Sequence, residues 1–317
     1  MPDTFSALEA NLAQAIAQNR VAHSYLFLGP EGVGKFQFAL KFAQALVCAR
    51  EKFPPCQECR ECRQIQSRTH PDLHILEVLE GEKQIKIDEV REFQKQLSFK
   101  PFQARRKVGI IKEAESLTIQ AMNSLLKLLE EPLPDTVLIL TCGNRSRLLA
   151  TVVSRCQILR FPPVKKELLV EILLKEQRIP LEKARVVANY AEGSLEKIDE
   201  LVPLMEQRRK FFENWLVARS ENPVQGFEFV QSQSFIKNLP VYLDFFINWH
   251  RDLLRIKFNE DPEFNPDFEL GLKTEASRLT IAQIISRLDI LLKLEEEMIS
   301  FNLNPSSVGE QIFFEMR

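Results

Sequence analysis

The chain has 317 residues, 45% hydrophobic and 27% charged, with a formal net charge of −2. This length accommodates two or three domains with cores of their own, and the apolar fraction excludes a largely disordered chain. The near-neutral balance excludes a global basic field for nucleic acid.

Met1-Pro2-Asp3-Thr4-Phe5 carries no basic segment leading into an apolar stretch, and no apolar run reaches the ~18 residues of a membrane span. A cytoplasmic location with no membrane contact is therefore expected, and there six cysteines are not expected to form disulfides. Leu8, Leu12, Ala15 and Ile16 recur at helical spacing. Ser24-Tyr25-Leu26-Phe27-Leu28 reads as a short buried strand running into Gly29-Pro30-Glu31-Gly32-Val33-Gly34-Lys35-Phe36. Helical periodicity follows from Phe36 to Val47, carried by Phe38, Ala39, Phe42, Ala43 and Leu46.

Strand, glycine loop and helix form the context of a phosphate-binding loop. Such a loop needs glycines so that backbone N–H groups can curl around phosphate oxygens. It also needs a lysine for the outer phosphates and a hydroxyl to hold Mg²⁺. Gly29, Gly32, Gly34 and Lys35 are present, but Phe36 stands where the hydroxyl belongs. A phenyl ring cannot ligate a hard cation.

A cysteine-rich insert follows, with Cys48, Cys56, Cys59 and Cys62 spaced C-x7-C-x2-C-x2-C. Short C-x2-C turns present two thiolates to one ion, and four sulfur ligands suit a closed structural Zn²⁺ site. An iron–sulfur cluster and free thiols are the alternatives; the x3-C-P continuation of ferredoxins is absent after Cys62. Cys142 and Cys156, alone in apolar segments, read as buried thiols, and the four histidines show no ligand spacing.

Alternating segments come next. Leu73 to Val78 reads as strand, Ile87 to Leu97 as helix, Lys107 to Ile111 as strand, Thr118 to Leu129 as helix and Thr136 to Leu140 as strand. The alternation predicts a parallel sheet covered by helices. The basic run from Lys100 to Lys107 reads as a solvated loop. In P-loop NTPases a buried strand ends in an Asp that orients Mg²⁺, often followed by a Glu. Here Val108-Gly109-Ile110-Ile111 ends in Lys112-Glu113, so both protein ligands for Mg²⁺ are replaced, by Phe36 and Lys112. Mg²⁺-ATP is not expected; the one route left to nucleotide is a Lys112 ammonium standing in for the metal.

Pro162-Pro163 ends the alternation, and almost everything beyond reads as helix. Leu168 to Lys175, Leu181 to Ala191 and Leu195 to Leu201 predict a small bundle with Gly193-Ser194 as a turn. Aromatic and aliphatic stripes follow, including Tyr242, Phe245, Phe246 and Trp249, which suit core or subunit contact.

Together these segments resemble the clamp-loader branch of the AAA+ family, and within it the delta-prime subunits of bacterial DNA polymerase III. The resemblance rests on Arg20 to Phe27 before the loop, the four-cysteine insert, His70-Pro71-Asp72, Ala121 to Pro132, and Ser154-Arg155-Cys156. It implies an α/β P-loop (AAA+) domain with the zinc insert over residues 1–165 (insert 48–62). A helical lid over 166–205 and an all-α collar over 206–317 would follow. It also implies that Arg155 projects, as an arginine finger in trans, into the ATP site of a neighbouring subunit. Implied partners are gamma/tau motor subunits and a delta subunit in a ring that loads a sliding clamp on primed DNA.

Three departures set the chain apart from the family's ATP-hydrolysing members: Phe36, Lys112, and Glu196 near the position where the lid usually supplies an arginine. They imply a non-hydrolysing stator. A gamma/tau-like motor with an unusual site and a stand-alone zinc-containing DNA-binding module are the competing readings.

Overall fold

In the computed structural model, which describes residues 5–50, 52–79, 81–175, 178–220, 223–301 and 304–316, the chain divides into two compact units. Met1 to Thr4, read above for targeting signals, lie outside the described residues.

The first unit comprises residues 1–168 and 193–196. Its centre is a five-stranded sheet of β1 (Ser24–Leu28), β2 (Leu73–Leu76), β3 (Lys107–Ile111), β4 (Thr136–Cys142) and β5 (Gln157–Arg160), in the order β2-β3-β4-β1-β5. All four pairings are parallel, with Leu26 opposite both Leu140 and Ile158. Every residue of β1, β3 and β4 is buried, as expected of strands covered on both faces.

The two-residue period of the strands sorts their side chains into two layers. Tyr25, Phe27, Val108, Ile110 and Ile139 pack with α1 (Ser6–Ala17) and α2 (Lys35–Val47), where Phe38 and Phe42 meet Phe27 edge-on or tilted. Leu26, Leu28, Ile111, Leu138 and Leu140 face the other way, onto Val90, Phe93, Met122 and Leu125. Those partners belong to α4 (Ile87–Ser98) and α5 (Ile119–Glu130). The short α3 (Arg60–Gln66) lies in the cysteine insert, and α6 (Ala150–Val153) precedes β5.

Thr118 caps α5, its hydroxyl accepting from the Ala121 N–H. β2 stops at Leu76, two residues short of the predicted end. β5 has no counterpart among the predicted strands, because only one of its four residues is buried and the half-polar edge leaves no apolar run to read.

The second unit comprises residues 169–192 and 197–317, and the regular elements among its described residues are all helices. Its helices are α7 (Lys166–Lys175), α8 (Leu181–Tyr190), α9 (Glu196–Ser220), α10 (Pro223–Gln231), α11 (Gln233–Lys237), α12 (Leu239–Lys257), α13 (Glu269–Arg278), α14 (Ile281–Phe301) and α15 (Pro305–Met316). Phe212, Phe245, Phe246 and Trp249 form an aromatic core between α9 and α12. α9 continues through Pro203, so the expected lid–collar boundary near residue 205 falls inside one helix. The proline removes one helical N–H without ending the helix. No described helix is long and apolar enough to cross a membrane.

Candidate functional site

The glycine loop leaves the carboxyl end of β1 as the sequence requires. A Cβ at Gly29 would lie 2.1 Å from the Phe161 carbonyl oxygen, and one at Gly32 1.8 Å from Ser194 Oγ. Gly34 caps α2 with φ +89°, a conformation glycine adopts without steric cost. The carbonyl of Gly32 accepts from the N–H groups of Leu195 (2.7 Å) and Glu196 (3.1 Å). Residues 193–196 are thereby laced onto the loop.

The residues that would serve phosphate are committed elsewhere. Lys35 is only 8% exposed, and its Nζ donates to the Gly29 and Pro30 carbonyls at 2.7 and 2.5 Å. Burial lowers its pKa, with Glu115, Glu196 and Glu31 pulling the other way. Phe36 is 6% exposed, with the Arg68 guanidinium 4.8 Å and the Lys112 ammonium 5.7 Å from its ring centroid. Lys112 also lies 3.6 Å from a Glu113 carboxylate oxygen and 3.9 Å from one of Glu77.

What remains is a cavity of about 170 Å³, lined by four carboxylates (Glu31, Glu113, Glu115, Glu196) and two ammonium groups (Lys35, Lys112). Small-molecule pockets usually span roughly 300–1,000 Å³. The cavity is smaller than that range, and its lining carries twice as many carboxylates as ammonium groups.

Glu115 escaped the sequence reading. A turn at Ala114–Ser116 after β3 brings its Oε1 to 2.5 Å from the Gly143 N–H, while Oε2 is buried with no hydrogen-bond partner among the described residues. Thr141, at the end of β4, accepts from the Glu113 N–H at 3.0 Å.

The four cysteines of the insert converge. Their Sγ atoms lie within 4.8 Å of one another, and Cys56 and Cys62 are 3.8 Å apart. A tetrahedron with Zn–S bonds of about 2.3 Å has edges of about 3.8 Å. Backbone N–H groups point at the sulfurs: Cys59 N to Cys56 Sγ and Cys62 N to Cys59 Sγ, both 3.4 Å, and Arg50 N to Cys48 Sγ, 3.5 Å. The N–H of Cys59 leads in lowering the Cys56 thiol to about 6, whereas burial pushes Cys62 upward. Four sulfurs and no other donor type fit a closed structural metal site. Burial raises the other two thiols, Cys142 to about 12 and Cys156 to about 11, in keeping with packing roles.

Arg155 sits at the other end of the sheet. It follows α6 and precedes β5, and its carbonyl accepts from Ser24 Oγ at the start of β1 (2.7 Å). The phosphate loop begins where β1 ends, five residues on, or roughly 16 Å at the usual rise. That distance exceeds the reach of an arginine side chain. The guanidinium is about one-third exposed, donates to the Thr151 carbonyl (2.9 Å) and pairs with Glu130 (2.7 Å).

A doubly covered parallel sheet in this order, with a glycine loop after β1 and a helical unit beyond, defines a P-loop domain of the AAA+ type. In this one the cradle has closed on itself. Residues 6–165 match the family described as DNA polymerase III, delta subunit. The chain is 32% identical over 312 residues to the DNA polymerase III subunit delta' of Bacillus subtilis, covering 95% of this chain and 92% of that protein. It is 31% identical over 268 residues to the delta' subunit of Pseudomonas aeruginosa, covering 83% and 81%. Similarity to the DNA polymerase III subunit tau of Bacillus subtilis, 31% over 206 residues, covers 63% of this chain and 36% of tau. The chain belongs to the delta' subunit family of bacterial DNA polymerase III.

Proposed function

We propose that this chain is a non-hydrolysing stator of a bacterial clamp loader. It assembles with gamma/tau-type motor subunits and a delta-type subunit to place a sliding clamp on primed DNA. In this reading the α/β domain (1–165) carries the finger, residues 193–196 hold the loop shut, the lid spans 166–205, and the collar (206–317) joins the ring. The Cys48, Cys56, Cys59 and Cys62 thiolates hold a structural Zn²⁺, which supplies a cross-link and no reaction chemistry. The work takes place in the cytoplasm.

One observation carries the reading. Lys35, Phe36 and Lys112 are each engaged within the chain, while a semi-exposed arginine lies at the end of the sheet that its own loop cannot reach. A guanidinium delivered to a neighbour's γ-phosphate would stabilise the charge that spreads over the transferring phosphoryl group, in a fork geometry that lysine cannot copy. Its ion pair with Glu130 is half-exposed, and such pairs are weak enough to be exchanged for a better partner.

The test is Arg155→Ala in the assembled complex. Complex formation is expected to be retained, and turnover at the site it serves should fall by about 10³-fold. Unchanged turnover would remove the role in trans. Mg²⁺-dependent ATP hydrolysis by the isolated chain would support the motor reading instead.

A further inference from the structure

The helical unit holds a cavity of about 530 Å³ between α8, α9 and the turn at Pro266–Phe268. It has about three times the volume of the cavity at the glycine loop and falls within the usual small-molecule range. Arg208 lies in its wall, only 3% exposed. The rings of Tyr190 and Phe268 flank the guanidinium, with centroids 6.0 and 5.6 Å from Cζ. Nη1 donates to Asn265 Oδ1 (2.6 Å) and Nη2 to Asp267 Oδ2 (2.5 Å). Asn265 is held in turn by the buried Asp252 carboxylate, which accepts from its side-chain N–H at 2.9 Å. Nε is buried with no hydrogen-bond partner among the described residues. A guanidinium offers several N–H donors on two edges, so this one is left short of an acceptor.

The rest of the lining is mixed. Lys183 pairs with Glu206 (3.4 Å) and Arg209 with Glu213 (3.1 Å), whereas Arg185 is exposed and forms no ion pair among the described residues. Four cationic side chains and three carboxylates face the cavity, with Val186, Met205 and Pro266 as its apolar part.

We infer that this cavity binds a small organic carboxylate with an apolar body, held by Arg208 and met at the rim by Arg185. The site stands apart from the stator reading: neither the glycine loop nor the surroundings of Arg155 contribute to its lining.

Donor chemistry, rigidity and charge balance support it. A carboxylate presents two coplanar acceptors, the arrangement a guanidinium fork matches. Buried donors in native proteins are met by protein, water or ligand, and this cavity far exceeds the roughly 30 Å³ of one water. Because Asn265, Asp267 and two rings already fix the guanidinium, binding forfeits little side-chain entropy. Four cations against three carboxylates leave one positive charge, which suits a monoanion. Glu206 and Asp267 stand against the further charges of a polyphosphate. Val186, Met205 and Pro266 offer the apolar body a surface removed from water.

The experiment titrates the full chain with a fluoronaphthoate and reads the dissociation constant by fluorine NMR. The neutral fluoronaphthamide of the same shape and a fluoronaphthyl phosphate serve as comparisons. Saturable binding of the carboxylate is expected, with the amide weaker by about tenfold or more. Arg208→Gln should cost the carboxylate about tenfold or more as well, and leave the amide nearly unaffected. Should that variant fail to fold, Arg185→Gln decides: it changes only the exposed rim and is expected to weaken the carboxylate by about two- to five-fold. Absence of saturable binding, equal affinity for acid and amide, or wild-type affinity in every folded variant overturns the inference. Tighter binding of the phosphate than of the carboxylate overturns the assignment to a monoanion.

Discussion

The two ends of the five-stranded sheet have gone separate ways. At the carboxyl ends, Lys35 binds its own loop, Phe36 lies beneath Arg68 and Lys112, and residues 193–196 are tied to Gly32. At the amino ends, Arg155 pairs with Glu130 across half-exposed surface, and a loop before β3, pinned by the Asp72 carboxylate, holds Phe102 in water. The first end spends its polar groups internally; the second presents them outward. On the proposed stator reading, one end of the domain has lost its chemistry while the other acts on a neighbour. The fold survives because the sheet core depends on neither.

The comparison breaks most severely through the cysteine insert, which begins where α2 returns to the amino ends of the strands. Cys59→Ser removes one of four thiolates and should cost more metal affinity than the roughly 10–100-fold of a lost outer-shell partner. Metal per chain after dialysis against a weak chelator reads it, and unchanged stoichiometry would refute the four-sulfur site. At the closed end, Phe36→Ala should destabilise the chain by about 3–4 kcal/mol, because the ring is buried and the cavity left behind cannot collapse fully. Urea unfolding measures this. A loss below about 1 kcal/mol would refute a packing role for the ring.

Much of this was legible from residue order. Alternating apolar segments announced the parallel sheet, and Phe36 and Lys112, singled out as replacing magnesium ligands, do line one cavity. The cysteine spacing foretold convergence of the four sulfurs. What stayed hidden depends on partners far away in the chain. Asp72 meets N–H groups 30 to 32 residues on, and no local pattern marks a carboxylate as a loop clamp. Glu115 reaches Gly143 across 28 residues. β5 was missed for a different reason: an edge strand with one buried residue carries no period to read. The helix through Pro203 shows tertiary packing overriding a local breaker.

Asp72→Asn sharpens the contrast at the amino ends by loosening the loop while leaving Phe102 in place. Charge-assisted hydrogen bonds are lost, and about 2 kcal/mol of stability should go with them. Burial alone would raise the Asp72 pKa, but the N–H groups of Ala104, Phe102 and Gln103, with His70, outweigh it and leave it lowered. A lowered native pKa means a contribution present in full above the unfolded value of about 3.8 and lost as the pH falls through the native one. The wild type should therefore show an acid limb in its melting temperature below about pH 4 that the Asn variant shows only weakly. Parallel limbs in both proteins would remove the clamp from the account.

The smallest effect concerns the pair that holds Arg155 in place. Glu130 lies at the end of α5, half exposed, with Oε1 2.7 Å from the guanidinium. Replacing it by Gln keeps the shape and an acceptor while removing the charge. Because surface pairs are worth about 0–1 kcal/mol, thermal stability should shift by less than about 1 kcal/mol. If the pair restrains the finger, its loss should raise turnover at the neighbouring site by no more than about five-fold, the rate equivalent of that energy. If instead Glu130 aims the guanidinium, turnover should fall, because a neutral acceptor then replaces the carboxylate beside the Thr151 carbonyl and the Ser154 hydroxyl. The sign of the change separates a parked arginine from a positioned one, and with it decides whether the outward-facing end of the sheet is preset or released on assembly.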